Sequence, residues 1–441
     1  MPGSCPARGA RARGATVLAA GCAVLALAAV AAPATASAAA TAARRPASPV
    51  AYVANWQSGT VSRFDTATGR RLAAVRLGAR SGPIALAVAP NRRTVYVANY
   101  VAGTVTPIST RTGRPGRPIK VPALPDYLGI TPNGRTLYVA SEVNSNDQTP
   151  GRVTAISTAT NRAGRPIRVG IDPGPIVMAR DSRTAYVLTL GFSPELVTPG
   201  NVTVIGTATN RVRRLVRITD PTDMALAPGG RTIYVVAENL DAAGCSPPPA
   251  QGRRRPVRLG GVPSRGARAA ALCGDLIPIA TATDRAGRPI PVGDPYLVAA
   301  AGGGSVYVLT DAGSITRVAA WTGRVAWTTR PGGDPDTLSV DPAGRTVYAL
   351  GETSDRKPGA VISITAATGA VRHRTRVGRD PAAIAFGPGG RTAWVVCTPF
   401  TETGDSGSFG AGSVIPIRTA TGAAGRAIPV GRGPMAIAIV G

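Results

Sequence analysis

An aromatic residue followed by small and β-branched residues recurs at Tyr52, Tyr96, Tyr138, Tyr186, Tyr234, Tyr307, Tyr348 and Trp394. The spacings are 44, 42, 48, 48, 73, 41 and 46 residues. No other feature constrains the fold as strongly. Each interval holds four short segments of strand chemistry. A period of roughly 40–50 residues with four strands per unit is the signature of a propeller blade. Ile84-Ala85-Leu86-Ala87-Val88-Ala89 alternates large and small residues, as suits an inner strand wedged between tapering blades. Pro132-Asn133-Gly134 and Pro388-Gly389-Gly390 supply tight turns. Thr66-Ala67-Thr68-Gly69 and Thr158-Ala159-Thr160-Asn161 supply another, with Gly or Asn where φ is expected to be positive. Only five residues are Glu and two are Lys, so good helix formers are scarce. The expected fold is all-β: one propeller of four-stranded blades.

Thr94-Val95-Tyr96-Val97-Ala98-Asn99, Gly103-Thr104-Val105 and the Thr-x-Thr-Gly turns resemble the YVTN β-propeller repeat, over residues 50–441. Gly302-Gly303-Gly304 and Trp394 depart from it. The resemblance implies an exported propeller with a binding role and fixes no reaction. Eight units give eight blades; seven, the commoner count in that family, is the alternative. The chain enters at the second strand of a unit and ends on Pro434-Met435-Ala436-Ile437-Ala438-Ile439, an inner-strand pattern. The C-terminus is therefore expected to complete the first blade and close the ring.

Arg8, Arg11 and Arg13, the uncharged run Ala15 to Ala32 and Ala36-Ser37-Ala38 have the order of a secretory signal peptide. The alternative is an uncleaved anchor. Residues 1–38 are thus assigned to targeting, 39–49 to a disordered linker and 50–441 to the propeller, with an insertion at 239–274. The expected product is secreted or associated with the cell envelope, monomeric, and without a membrane span. Cys245 and Cys273 bracket the one oversized unit in an oxidising compartment, so a disulfide between them is expected. Cys397 lies in another blade and should stay unpaired, as a small buried residue.

In a four-stranded blade, the loops after the second and fourth strands share one face. Every long insertion falls there, as do 19 of the 23 acidic residues. The other face keeps most of the basic residues of a chain whose formal charge is +27. Such a field steers charged partners. Arg93, Arg135, Arg183, Arg231, Arg345 and Arg391 recur at one turn of the basic face. Guanidinium groups pair with phosphate and carboxylate, so these six form a candidate polyanion surface; the alternative is a solvated turn position. Asp126, Asp172, Asp220, Asp294, Asp334 and Asp380 recur before the inner strand, five of them followed by Pro. They form a candidate axial ring for a cation such as calcium or a polar ligand, or simply Asp-Pro turn initiation. No EF-hand spacing occurs, so no cofactor is assigned.

With His373 the single histidine, multi-His metal sites and most haem ligation are excluded. No His–carboxylate cluster or complete acid–base pair stands out. The sequence therefore reads as a non-enzymatic binding propeller with no catalytic residue. Its acidic face would engage a protein or polar ligand, and its basic face an anionic envelope polymer. The alternative is a propeller enzyme of lactonase or quinone-dependent dehydrogenase type. Nucleic-acid binding ranks third, because aromatic residues make up only 4% of the chain and stacking platforms are not visible.

Overall fold

The computed structural model describes residues 48–122, 124–143, 149–190, 200–238, 274–302, 304–352, 358–403 and 406–441, with the backbone of 192–193 and 196–197. Eight antiparallel sheets form an eight-bladed propeller. Each blade has strands A to D, counted from the axis. The second blade is the simplest: Pro83–Val88, Thr94–Asn99, Thr104–Ser109 and Ile119–Lys120. In the first blade, strand A is the C-terminal segment Pro434–Val440. It pairs in antiparallel register with Val50–Asn55, Val50 opposite Val440. Closure by the last strand, and the count of eight rather than seven, are as the repeat predicts.

Strand B is buried along nearly its whole length, as in Val50–Asn55 and Thr184–Thr189, whereas strand D is largely exposed, as in Arg211–Arg217. Strand B has period-two side chains with both faces apolar, because a blade is sandwiched by two others. The core is accordingly inter-blade. Val95 and Val97 face backwards into a cluster with Tyr52, Val61 and Ala438 of the first blade. Tyr96, between them, faces forwards into a cluster with Leu137, Val139 and Ile156 of the third.

The C–D turns carry a left-handed residue, as expected: Gly69, Gly113, Gly323, Gly369 and Gly422, with Asn161, Asn210 and Asp284 in the third, fourth and fifth blades. Those three side chains have a second use. Tyr96 Oη donates to Asn161 Oδ1 at 3.1 Å, Tyr138 to Asn210 Oδ1 at 2.6 Å and Tyr186 to Asp284 Oδ1 at 2.8 Å. These three tyrosines thus latch their blades to the next. Backbone carbonyls accept instead at two Gly turns, Ala320 from Tyr234 and Ala366 from Tyr307, while the Tyr52 and Tyr348 hydroxyls are buried without a hydrogen-bond partner. Cys397 is free and buried, and burial pushes its thiol up to about 12. The Cys245–Cys273 pairing and the 1–38 segment lie outside the described residues.

Candidate functional site

Strand A of every blade begins at a proline, or at the residue before it. The residue before that proline accepts a hydrogen bond from the backbone just past strand B. Leu190 N donates to Asp172 O at 3.0 Å, Glu238 N to Asp220 O at 3.0 Å, Asp311 N to Asp294 O at 2.9 Å and Thr398 N to Asp380 O at 2.8 Å. Asp334 is paired with Glu352 in the same way. Asp172, Asp220, Asp294, Asp334 and Asp380 therefore share one position at the mouth of the axis. Asp126 does not. It follows Pro125, inside the β-bulge between Pro125 and Tyr127, and the residue at the shared position of its blade is Leu124, opposite Glu142. Asp336 occupies the corresponding bulge between Pro335 and Thr337. Bulges re-aim a side chain, and these two carboxyls sit one residue after the proline of strand A instead of one before it.

The result is a cluster at the junction of the second, third and fourth blades. Glu142 accepts from Tyr100 Oη at 3.3 Å and from the Asp172 side chain. Burial, then the Glu142 and Asp172 charges, push the Asp126 carboxyl up to about 7. Burial, then Glu142, push Asp172 to about 7 as well. Burial and the same carboxylates raise the phenols of Tyr100 and Tyr127. Asp126 Oδ1 is enclosed and has no hydrogen-bond partner. Asp223, 1% exposed, lies behind: its Oδ1 accepts Met224 N and its Oδ2 accepts Val298 N, stapling the fifth blade to the sixth. Burial pushes it to about 7 too. Sequence reasoning missed Glu142 and Tyr100 as partners of Asp126, although both sit where strand B ends.

A second set faces the first across the ring. Burial pushes Asp336 to about 7, with smaller contributions from Asp334 and Asp380, and its Oδ1 is also unpartnered. Beside it, a cavity of 290 Å³ on the seventh blade is lined by Asp334, Glu352, Arg374 and Arg376. At the fifth–sixth junction, carboxylate oxygens of Glu238, Asp294 and Asp311 lie within 4.8 Å of one another, an oxygen set that suits a hard divalent cation.

Arg93, Arg135, Arg183, Arg231, Arg345 and Arg391 lie exposed on the opposite face. Their backbones explain the recurrence. Arg135 N donates to Asn133 Oδ1, and its carbonyl accepts from Thr158 N of the C–D turn. His373 lies on an outer strand, opposite Ser363 and away from the axis.

The family model PQQ_2, described as outer membrane protein assembly factor BamB, matches residues 286–434, less than half of the chain. No curated protein matches. Among solved structures, dihydro-heme d1 dehydrogenase NirN in complex with DHE is 12% identical, with a TM-score of 0.65 over 90% of this chain and 78% of its own. Apo AztD from Citrobacter koseri is 13% identical, with a TM-score of 0.59 over 89% and 98%. Hydrazine synthase of Kuenenia stuttgartiensis is 17% identical, with a TM-score of 0.52 over 78% and 97%. At these identities the likeness is one of fold. These matches overturn the expectation of a non-enzymatic scaffold. The quinone-labelled family and two neighbours that are enzymes by name side with the alternative, a propeller enzyme. Asp126, Glu142 and Asp172 form a carboxyl cluster across two blades that the linear sequence did not display.

Proposed function

We propose that the chain is an exported propeller enzyme working at the acidic mouth of its axis, by proton transfer from a hydroxyl group. The observation that carries this reading is the pair of carboxyls poised at about 7, Asp126 and Asp172, side by side around Glu142. A general acid and base work best with pKa values near the operating pH. Burial and the neighbouring Glu142 raise Asp172, so it holds a proton near neutral pH and is assigned as the acid. Asp126 Oδ1 has no partner, so Asp126 is the base that takes a proton from water or from a substrate hydroxyl. Attack of water on a ring ester is the lactonase reading; oxidation of an alcohol is the quinone-dependent one.

The cluster favours the first. A carboxylated quinone needs cationic partners, whereas the charges acting on Asp126, Asp172, Tyr100 and Tyr127 are carboxylates. These residues do not fit such a quinone. His373 on its outer strand likewise offers nothing to a haem at the axis. Among the described residues no helix is long and apolar enough to cross a membrane, and the signal-like N-terminus supports action outside the cytoplasm.

The test is a screen of lactones, followed by proton release, and of alcohols with an electron acceptor. kcat/KM should peak near pH 7, falling on the acid side as Asp126 takes up a proton and on the alkaline side as Asp172 loses one, and Asp126→Asn should lower it by roughly 10²–10⁴. No turnover on either panel, or an Asp126→Asn variant as active as the parent, would count against it.

A further inference from the structure

The rim position just past strand B divides the mouth in two. It is acidic on the third, fifth, sixth and seventh blades, at Glu142, Glu238, Asp311 and Glu352, and is Leu190 on the fourth and Thr398 on the eighth; on the first and second blades it is Trp56 and Tyr100. Those two rings lie 5.3 Å apart at 45°. They pack with Phe409 around Ile84 and Met435, and both are half-buried. The two parts touch, because the Tyr100 hydroxyl is the donor to Glu142. An enclosed carboxyl oxygen without a donor, Asp126 Oδ1, lies in the same cluster.

We propose that this mouth binds an organic ammonium ion, its N–H donors on Asp126 and Glu142 and its carbon chain against Trp56 and Tyr100. The proposal rests on the reading of the mouth as the working site, for its place only. An ammonium brings three donors and one positive charge. It thereby satisfies the unpartnered oxygen and offsets the repulsion within the carboxylate set. The aromatic faces attract the cation and cover its alkyl part. A neutral alcohol of the same size brings one donor and no charge. A dianion is repelled.

Binding is coupled to protons. The titratable groups around the site are Asp126, Glu142 and Tyr127 of the third blade, Asp172 of the fourth, Tyr100 of the second and Asp223 of the fifth. Below about pH 7, Asp126 and Asp172 carry protons, which a bound cation must displace. Affinity for the ammonium therefore rises with pH up to about 7 and then levels, with proton release on binding.

The experiment is calorimetry on the full chain with n-butylammonium, butan-1-ol and calcium at pH 5.5 and 8. Butylammonium should bind about tenfold more tightly than butan-1-ol at pH 8, and about tenfold more tightly than it does itself at pH 5.5. Asp126→Asn should bring the two organic probes to within about twofold; Glu142→Gln serves if that variant does not fold. Equal affinity for the two probes, no pH dependence, no heat with either, or binding of calcium alone overturns the proposal. Butylammonium binding without turnover on any panel would overturn the catalytic reading and leave this one standing.

Discussion

At the scale of the residue, the tyrosine latches and the buried aspartates make opposite contributions. Tyr186 donates to Asp284, which is 7% exposed and also pairs with Arg213 at 3.5 Å. Tyr138 donates to Asn210, which is neutral and exposed. Bonds to charged, buried acceptors are worth more than bonds to neutral ones. Tyr186→Phe should cost about 1.5–3 kcal/mol in denaturant titration and Tyr138→Phe about 0.5–1.5 kcal/mol. Equal costs would mean that ring packing, not the hydroxyl, holds the blades. For Asp126, Asp172, Asp223 and Asp336 the folded pKa is raised to about 7, above the unfolded value of about 3.9. Between those limits the folded state holds more protons than the unfolded one, so stability falls as pH rises from about 4 to about 7. The melting temperature should drop over that window, and Asp126→Asn should flatten the slope. An ordinary acid-sensitive profile, rising over the same range, would contradict this. The recurrence of Asp126 and Asp172 is visible in the chain. Their raised pKa values are not, because these depend on burial and on Glu142, which comes from another strand and, for Asp172, another blade.

At the scale of the element, the glycine that opens strand C is fixed by a proline from the following repeat. A Cβ on Gly151, Gly200, Gly274, Gly359 or Gly412 would run into the ring of Pro173, Pro221, Pro295, Pro381 or Pro434. Each proline heads the inner strand of the next blade, and its ring cannot swing aside. Gly200→Ala should therefore cost about 1–3 kcal/mol by overpacking. Gly229, with nothing within 4 Å of its would-be Cβ, is the control and should tolerate Ala within about 0.5 kcal/mol. Similar midpoints for the two variants in urea would refute the inter-blade role. The glycines stand out in the sequence as the ends of the long insertions. Their reason does not, since the colliding proline lies about twenty residues on and across a blade interface. Strand periodicity, set within one unit, reads directly; contacts between units appear only once the ring is built.

At the scale of the whole molecule, the ring is held shut by one strand. Pro434–Val440 buries Met435, Ala436, Ile437 and Ala438 to between 5% and 8% exposure. It contributes to the clusters shared by the first blade with the second and by the eighth blade with the first. Beyond it, Arg92 donates to the Gly441 carbonyl, and Trp56 N donates to Gly433 O at 2.7 Å. Full burial of an Ile or Met side chain stabilises by about 1.5–3 kcal/mol. Deleting residues 433–441 removes two such side chains, a ladder of backbone bonds and the cover over the edge of Val50–Asn55. That loss is comparable with the whole margin of a typical domain, about 5–15 kcal/mol. The truncated chain should lose its cooperative melting transition and expose a strand edge open to association. The opposite manipulation separates closure from mere length. Val50 lies opposite Val440, so a short Gly-Ser linker from 441 to 48 spans the gap. New ends can be cut between Arg111 and Thr112, in an exposed C–D turn. This permutant keeps every strand and turns the non-covalent seam into a covalent one, so it should melt at or above the temperature of the parent. If it instead unfolds like the truncation, the last strand stabilises the ring through something other than closing it.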